Sequence, residues 1–157
     1  MVLIESMNAA DIPEVSDLLK ACFRWLAERE HFNARQTAFL VDERSSVETV
    51  REESKTRPHL VAREDGVILG VVAVKGNEIA RLYVEPRFHR RGIGRVLFDA
   101  GINLIREAGH REATVAALVD SAAAFYRSMG MVETGRLVYE PDIFLGRQVI
   151  ILAKPIA

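Results

Sequence analysis

At 157 residues the chain has the length of one ordinary domain, able to bury about 70 % of the surface its unfolded form would expose. Hydrophobic residues at 49 % and charged residues at 27 % match soluble globular proteins and exclude disordered, collagen-like and coiled-coil compositions. A net charge of −1 argues against a general nucleic-acid binder or a polybasic membrane protein.

No apolar run approaches the length of about 18 residues needed to span a membrane, and Met1-Val2-Leu3-Ile4-Glu5 meets an acid too early for a signal peptide, so a cytoplasmic address is expected. The lone Cys22 can form neither an internal disulfide nor a cysteine-rich zinc site. Without a Gly, Ser or Pro-rich linker or an internal repeat, one domain over 1–157 is expected.

Val2-Leu3-Ile4 reads as a short first strand. Asn8 with Asp11 three residues later is a helix N-cap signal, and Ile12, Val15, Leu19, Cys22 and Leu26 form the apolar stripe of a helix running to about Glu30. Residues 31–56 predict two short helices, the second capped by Ser45 or Ser46. Leu60–Arg63 and Val67–Val74 around Asp65-Gly66 predict a β-hairpin, and Ile79–Val84, after the turn Gly76-Asn77, a third strand ended by Pro86. After Gly94 the positions Val96, Leu97, Ala100, Leu104 and Ala108 keep helical spacing up to Gly109. Thr114–Val119 reads as a buried strand, Ser121–Met129 as a helix stopped by Gly130, and Val132–Tyr139 with Gln148–Leu152 as a closing strand pair.

The strand-helix-strand run through residues 79–119 requires a right-handed crossover and a parallel pair inside an otherwise antiparallel sheet. The fold class is therefore α/β: a mixed, mostly antiparallel sheet with a central parallel strand pair, flanked by helices.

Between the third hairpin strand and the long helix lies Glu85-Pro86-Arg87-Phe88-His89-Arg90-Arg91-Gly92-Ile93-Gly94-Arg95, within a stretch, Arg81–Arg111, of net charge +4. Free amides at a helix N-terminus, the helix dipole and the arginines favour an anion, and Gly92 and Gly94 let backbone approach it closely. Leu97 stands where a dinucleotide fingerprint needs glycine, and no Gly-Lys-Ser/Thr follows. The spacing alone is equally that of a helix start beside a solvated basic face.

Three segments in order, Leu82-Tyr83-Val84-Glu85-Pro86, Arg90-Arg91-Gly92-Ile93-Gly94-Arg95 and Ala124-Phe125-Tyr126-Arg127-Ser128-Met129-Gly130-Met131, resemble the GNAT superfamily of N-acetyltransferases across residues 60–135. The resemblance implies a GNAT-like acyl-CoA N-acyltransferase fold with acetyl-CoA as co-substrate, its pyrophosphate wrapped by His89, Arg90, Arg91, Gly92, Ile93, Gly94 and Arg95. Leu82, Tyr83 and Val84 would face its acetyl and pantetheine end, and the Val84 N–H would be the oxyanion donor. His89 departs from the pattern, standing where the family has Arg or Gln.

Transfer of acetyl to an amine needs a neutral nucleophile, an oxyanion donor and a proton for the leaving thiolate. By resemblance Tyr126 is the acid, with a core aromatic beside Phe125 as the lesser alternative. Glu78, fourteen residues before Gly92, resembles in position the catalytic glutamate of the histone-acetyltransferase branch, although a strand-end glutamate beside Gly76-Asn77 is more often simply solvated; Glu85 and Tyr83 are alternatives, as is a water chain. Cys22 on the apolar stripe reads as packing, so direct transfer is expected. The four histidines share no metal spacing, and no metal is expected. Trp25, His31, Phe32 and Phe39 are candidates for the acceptor pocket or for ordinary core, and the acids of Asp42–Glu53 for a cation-attracting or a solvated face.

The sequence thus implies an N-acetyltransferase acting on a primary amine of a small molecule or peptide, with a non-catalytic acyl-CoA sensor or interaction module as the alternative. No nucleic-acid or membrane partner is expected, and the resemblance is compatible with a homodimer.

Overall fold

The computed structural model describes residues 1–157. Seven strands, β1 (Leu3–Ser6), β2 (His59–Glu64), β3 (Val67–Lys75), β4 (Glu78–Val84), β5 (Glu112–Ala117), β6 (Val132–Val138) and β7 (Gln148–Pro155), form one sheet in the order β1-β2-β3-β4-β5-β7-β6. Only β4 and β5 run parallel. Five α-helices, α1 (Ile12–Glu30), α2 (Ala34–Ala38), α3 (Val47–Ser54), α4 (Ile93–Glu107) and α5 (Asp120–Ser128), cover it. None is long and apolar enough to cross a membrane.

The entry to α1 follows the N-cap signal. Asn8 N–H donates to Asp11 Oδ2 at 3.0 Å and Asp11 N–H to Asn8 Oδ1 at 3.1 Å, closing a capping box over one 3₁₀ turn before the α-helix begins. Residues 31–56 form two capped helices as expected, with one addition: α2, capped by Asn33, runs on into a π-helical turn over Phe39–Glu43. Ser46 caps α3, its Oγ accepting from Thr49 N–H at 3.1 Å, whereas Ser45 is buried and donates to the Leu40 carbonyl.

Several boundaries differ from the expected ones by one to three residues, and two of these differences shape the site. Helix α4 begins one residue before Gly94, with Gly92 as its N-cap in the left-handed region (φ 78°). Leu118 and Val119 leave the sheet, because β5 has no partner on β7 beyond Ile150, and Val119 becomes the N-cap of α5.

The sheet separates two apolar layers. On one face α4 and α5 bury Leu97, Phe98, Ile105 and Tyr126 against Leu69, Val72, Ile79, Val115 and Leu152; on the other α1 and α3 bury Val15, Leu19 and Val50 against Val61, Ile68 and Val71. A smaller aromatic cluster joins Phe23, Leu40, Val41 and Phe144, with Phe32, Phe39, Tyr83 and Tyr139 packed on it.

β4 and β5 pair at only two positions, Glu78 with Thr114 and Ile79 with Val115. β5 then stays with β7 to its last residue and β4 stays with β3, so the parallel strands part and leave a wedge between them. Gly70 of β3, opposite Val84, backs this wedge: a Cβ there would meet Leu97 Cδ1 at 2.7 Å and the Tyr83 carbonyl oxygen at 2.9 Å. Because one of those atoms is backbone, Gly70→Ala is expected to destabilise the protein by about 1–3 kcal/mol in urea unfolding. An unchanged midpoint would mean that β4 yields freely.

Candidate active site

The wedge is a cavity of about 600 Å³ whose wall takes residues from α1, β4, the β4–α4 loop, β5 and α5. β4 supplies its polar edge. Glu85 N–H donates to the Leu69 carbonyl at 2.9 Å, and outward and inward groups alternate along an antiparallel ladder. Val84 and Leu82, one and three residues earlier, therefore aim their N–H and C=O groups away from β3 into the gap. The Val84 carbonyl meets two donors there, His89 Nε2 at 2.9 Å and Cys22 Sγ at 3.3 Å.

The β4–α4 loop is shaped by its own side chains and by two left-handed residues. Glu85 caps a 3₁₀ turn over Pro86–Phe88, accepting from the Arg87 backbone at 3.1 Å and from Arg87 Nε at 2.9 Å. Arg90 (φ 65°) and Gly92 (φ 78°) then turn the chain so that α4 starts at the cavity mouth. Ile93, Gly94 and Arg95, whose first-turn amides have no partner within the helix, all line the wall. Gly94 lies where a Cβ would sit 3.5 Å from the Phe125 ring, so α4 and α5 close on each other at that point.

The expected pyrophosphate residues divide. His89, Arg90, Gly92, Ile93, Gly94 and Arg95 line the cavity; Arg91 does not, its guanidinium being paired with Glu64 of β2 at 2.8 Å. Arg90 and Arg95 are in no ion pair with the protein. Leu82, Tyr83 and Val84 all line the wall. Tyr83, on the α1 side, packs its ring 5.1 Å from Phe23.

Tyr126 projects from α5 into the same cavity, wedged among Phe125 at 5.3 Å and Phe98 at 6.2 Å between ring centres. Burial, and secondarily the nearby Tyr83 hydroxyl, push its phenol well above the ordinary tyrosine value, so it holds its proton throughout the neutral range. Cys22 behaves alike: burial, then the charge of Glu85, raise its thiol to about 12. It is a hydrogen-bond donor to Val84 rather than a thiolate nucleophile.

Glu78 stands at the opposite end of β4, across from Lys75 and Thr114, and is outside the cavity wall. Glu85 is turned to Arg87. None of the 27 lining residues is Asp or Glu. Of the N-terminal aromatics only Trp25 reaches the wall; Phe32 and Phe39 stack on Phe144 and His31 closes α1 in a left-handed conformation. Leu118, Val119 and Ser121, from the end of β5 and the start of α5, join the wall although the sequence did not single them out. Arg81 of β4 lines it too, with its side chain 3 % exposed and anchored to Glu53 of α3 at 3.0 Å and to the Arg44 carbonyl at 2.6 Å.

Residues 28–145 match the acetyltransferase (GNAT) domain family. The chain belongs to that family. Its fold is shared by a GCN5-related N-acetyltransferase (aminotransferase, class-II) of Rhodopseudomonas palustris, at TM-score 0.86 and 22 % identity over 98 % of this chain and 94 % of that one. The PaiA N-acetyltransferase of Thermoplasma acidophilum, in complex with coenzyme A, aligns at TM-score 0.75 and 18 % identity over 99 % of both chains. YncA of Salmonella typhimurium, a putative acetyltransferase with its cofactor acetyl-CoA, aligns at 0.70 and 19 % over 100 % and 95 %. In this GNAT protein the wedge combines three chemical resources. A helix N-terminus with two unpaired arginines can hold an anion, a strand edge offers directed backbone groups, and a buried phenol can deliver a proton.

Proposed function

We propose that this GNAT protein transfers acetyl from acetyl-CoA directly to a primary amine. The observation that carries the reading is that the anion-binding turn of α4, the free edge of β4 and the protonated Tyr126 line one cavity. The α4 amides with Arg90 and Arg95 suit the pyrophosphate, Leu82 and Val84 suit the amide-rich arm and the developing oxyanion, and Tyr126 suits protonation of the departing thiolate. The high Cys22 value supports direct attack by the amine over an acetyl-cysteine relay. Coenzyme A and acetyl-CoA in the PaiA and YncA structures support the co-substrate.

Calorimetric titration with acetyl-CoA, followed by thiol release against benzylamine, tyramine, spermidine and an alanyl peptide, tests this. Binding with amine-dependent thiol release is the expected result. Binding with no release favours a non-catalytic acyl-CoA sensor, and no binding overturns the reading of the α4 turn.

A further inference from the structure

We propose that the outer edge of β6 is a self-association surface, along which two copies of this chain pair antiparallel about a two-fold axis between Thr134 and Gly135. The surface is separate from the acetyl-transfer site, since β6 contributes nothing to the cavity wall. β6 ends the sheet and is paired on one side only, to β7. All seven of its residues are exposed, Val132 at 66 %, Leu137 at 62 % and Val138 at 58 % among them. An edge strand presents unpaired N–H and C=O groups, and native sheets discourage pairing there with short strands, proline or repelling charge. β1, at the other end of the sheet, is four residues long. β6 is nearly twice that length, contains no proline, and carries two charges of opposite sign.

The backbone is set for such pairing. Tyr139 N–H donates to the Arg147 carbonyl at 2.7 Å, so by alternation Leu137 also turns its backbone groups to β7, while Arg136 and Val138 turn theirs outward. The register then skips Thr134, with Gly135 opposite Ile151 and Glu133 opposite Leu152. This bulge brings Glu133 into the outward set as well. Gly135 has nothing within 4 Å of its Cβ position, so no side chain stands at the axis to hold two strands apart.

The side chains complement themselves. Reading outward from Thr134-Gly135, Glu133 stands on one side and Arg136 on the other, followed by Val132 and Leu137. In a two-fold antiparallel pair each Glu133 therefore lies opposite Arg136 of the second copy, and each Val132 opposite its Leu137. Within one chain Glu133 reaches Arg127 at 3.1 Å and Arg136 at 3.4 Å, so the two charges of the strand share a face and its apolar pair takes the other. All three ion-pair members are partly exposed, leaving Glu133 able to be shared across the axis. A slip of one position sets Glu133 opposite Gly135 or Leu137 and loses both charge pairs. The charges thus fix the register, and backbone bonds with the apolar pairs supply the attraction. A strand of another protein would meet the same edge, but this order of charged and apolar residues is matched by the chain itself.

Sedimentation velocity over a range of protein concentrations tests this, and the unaltered protein is expected to approach twice the chain mass. Glu133→Arg and Arg136→Glu each set like charges opposite one another at both charged positions of the pair, so either variant alone should associate at least about tenfold more weakly. Mixed in equal amounts, the two variants present arginine to glutamate at both positions and should associate at least about tenfold more tightly than either alone. No intrachain effect produces that rescue, because each chain still carries its own like charges. Urea midpoints close to that of the unaltered protein are expected, since only exposed pairs are changed. In the unaltered protein, hydrogen exchange of the β6 backbone should slow as concentration rises, a readout that needs no variant. A protein that stays monomeric at every concentration overturns the proposal. So does a dimer whose β6 exchange ignores concentration, a single variant that associates as the unaltered protein does, or a mixture no tighter than its components.

Discussion

Tyr126→Phe is expected to lower kcat about a hundredfold or more while leaving the affinity for acetyl-CoA, measured by calorimetry, within about a factor of two. The substitution removes one oxygen and keeps the ring that packs on Phe98 and Phe125, so packing and fold should survive. The hydroxyl has no hydrogen-bonding partner in the protein, and burial keeps it protonated; in the proposed reaction its proton goes to the thiolate in the cavity it lines. A phenol stabilised in its neutral form yields its proton only to a strong base, and a thiolate expelled into an apolar cleft is one. Full turnover in the phenylalanine variant would sink the assignment.

The second large effect concerns stability. Glu53→Gln should cost about 3 kcal/mol in urea unfolding, because it strips the counter-charge from a buried arginine. Glu53 binds Arg81 at 3.0 Å, Arg44 at 3.2 Å and Arg57 at 3.5 Å, so its loss leaves three cations facing each other beneath α3. Glu52→Gln, which breaks only the exposed pair with Lys55, should leave the midpoint where it was. The cluster also sets the acid limit. Burial alone would raise the Glu53 carboxyl, but Arg81, then Arg44 and Arg57, outweigh it and hold the group below its ordinary 4.5. A carboxyl depressed in the folded state contributes stability above its unfolded value and loses it as pH falls through the folded one. The Glu53 contribution should therefore decline below about pH 4.5 and be absent from the glutamine variant. His59, lowered from 6.5 chiefly by burial, is destabilising to protonate and brings a first decline at higher pH, below about 6.5. A stability curve flat from neutrality to pH 4 would contradict both assignments.

The features that local chemistry decides were legible in the sequence. Asp65-Gly66 marks its hairpin and Asn8 its helix because turn and cap geometry need only neighbouring residues, and Tyr126 and the Gly92 turn stand in short ordered segments. What stayed hidden is set by residues far apart in the chain. Cys22 meets Val84 across 62 positions and Arg81 meets Arg44 across 37. Fourteen residues of spacing place Glu78 on β4 but not at which end of the cleft; its pairing with Thr114 does that. Nothing in the loop's pattern says that His89 folds back on Val84, since that depends on Trp25 from α1. That Phe32 and Phe39 stack on Phe144 rather than on the cavity wall is set by a residue more than a hundred positions later.

The two-position contact between β4 and β5 makes the sheet, mechanically, a pair of plates joined along a short hinge. From Ile79 to Val84 the strand extends about 16 Å beyond that hinge, so a rocking of about 5° at the closed end displaces the open end by about 1.4 Å. The plates are also held where α4 and α5 meet at Gly94 and Phe125, a clasp at the far end of the same lever. A change of angle at Glu78 and Thr114 would thus be largest near Val84 and the turn before α4, and the Gly94–Phe125 contact is placed to resist it.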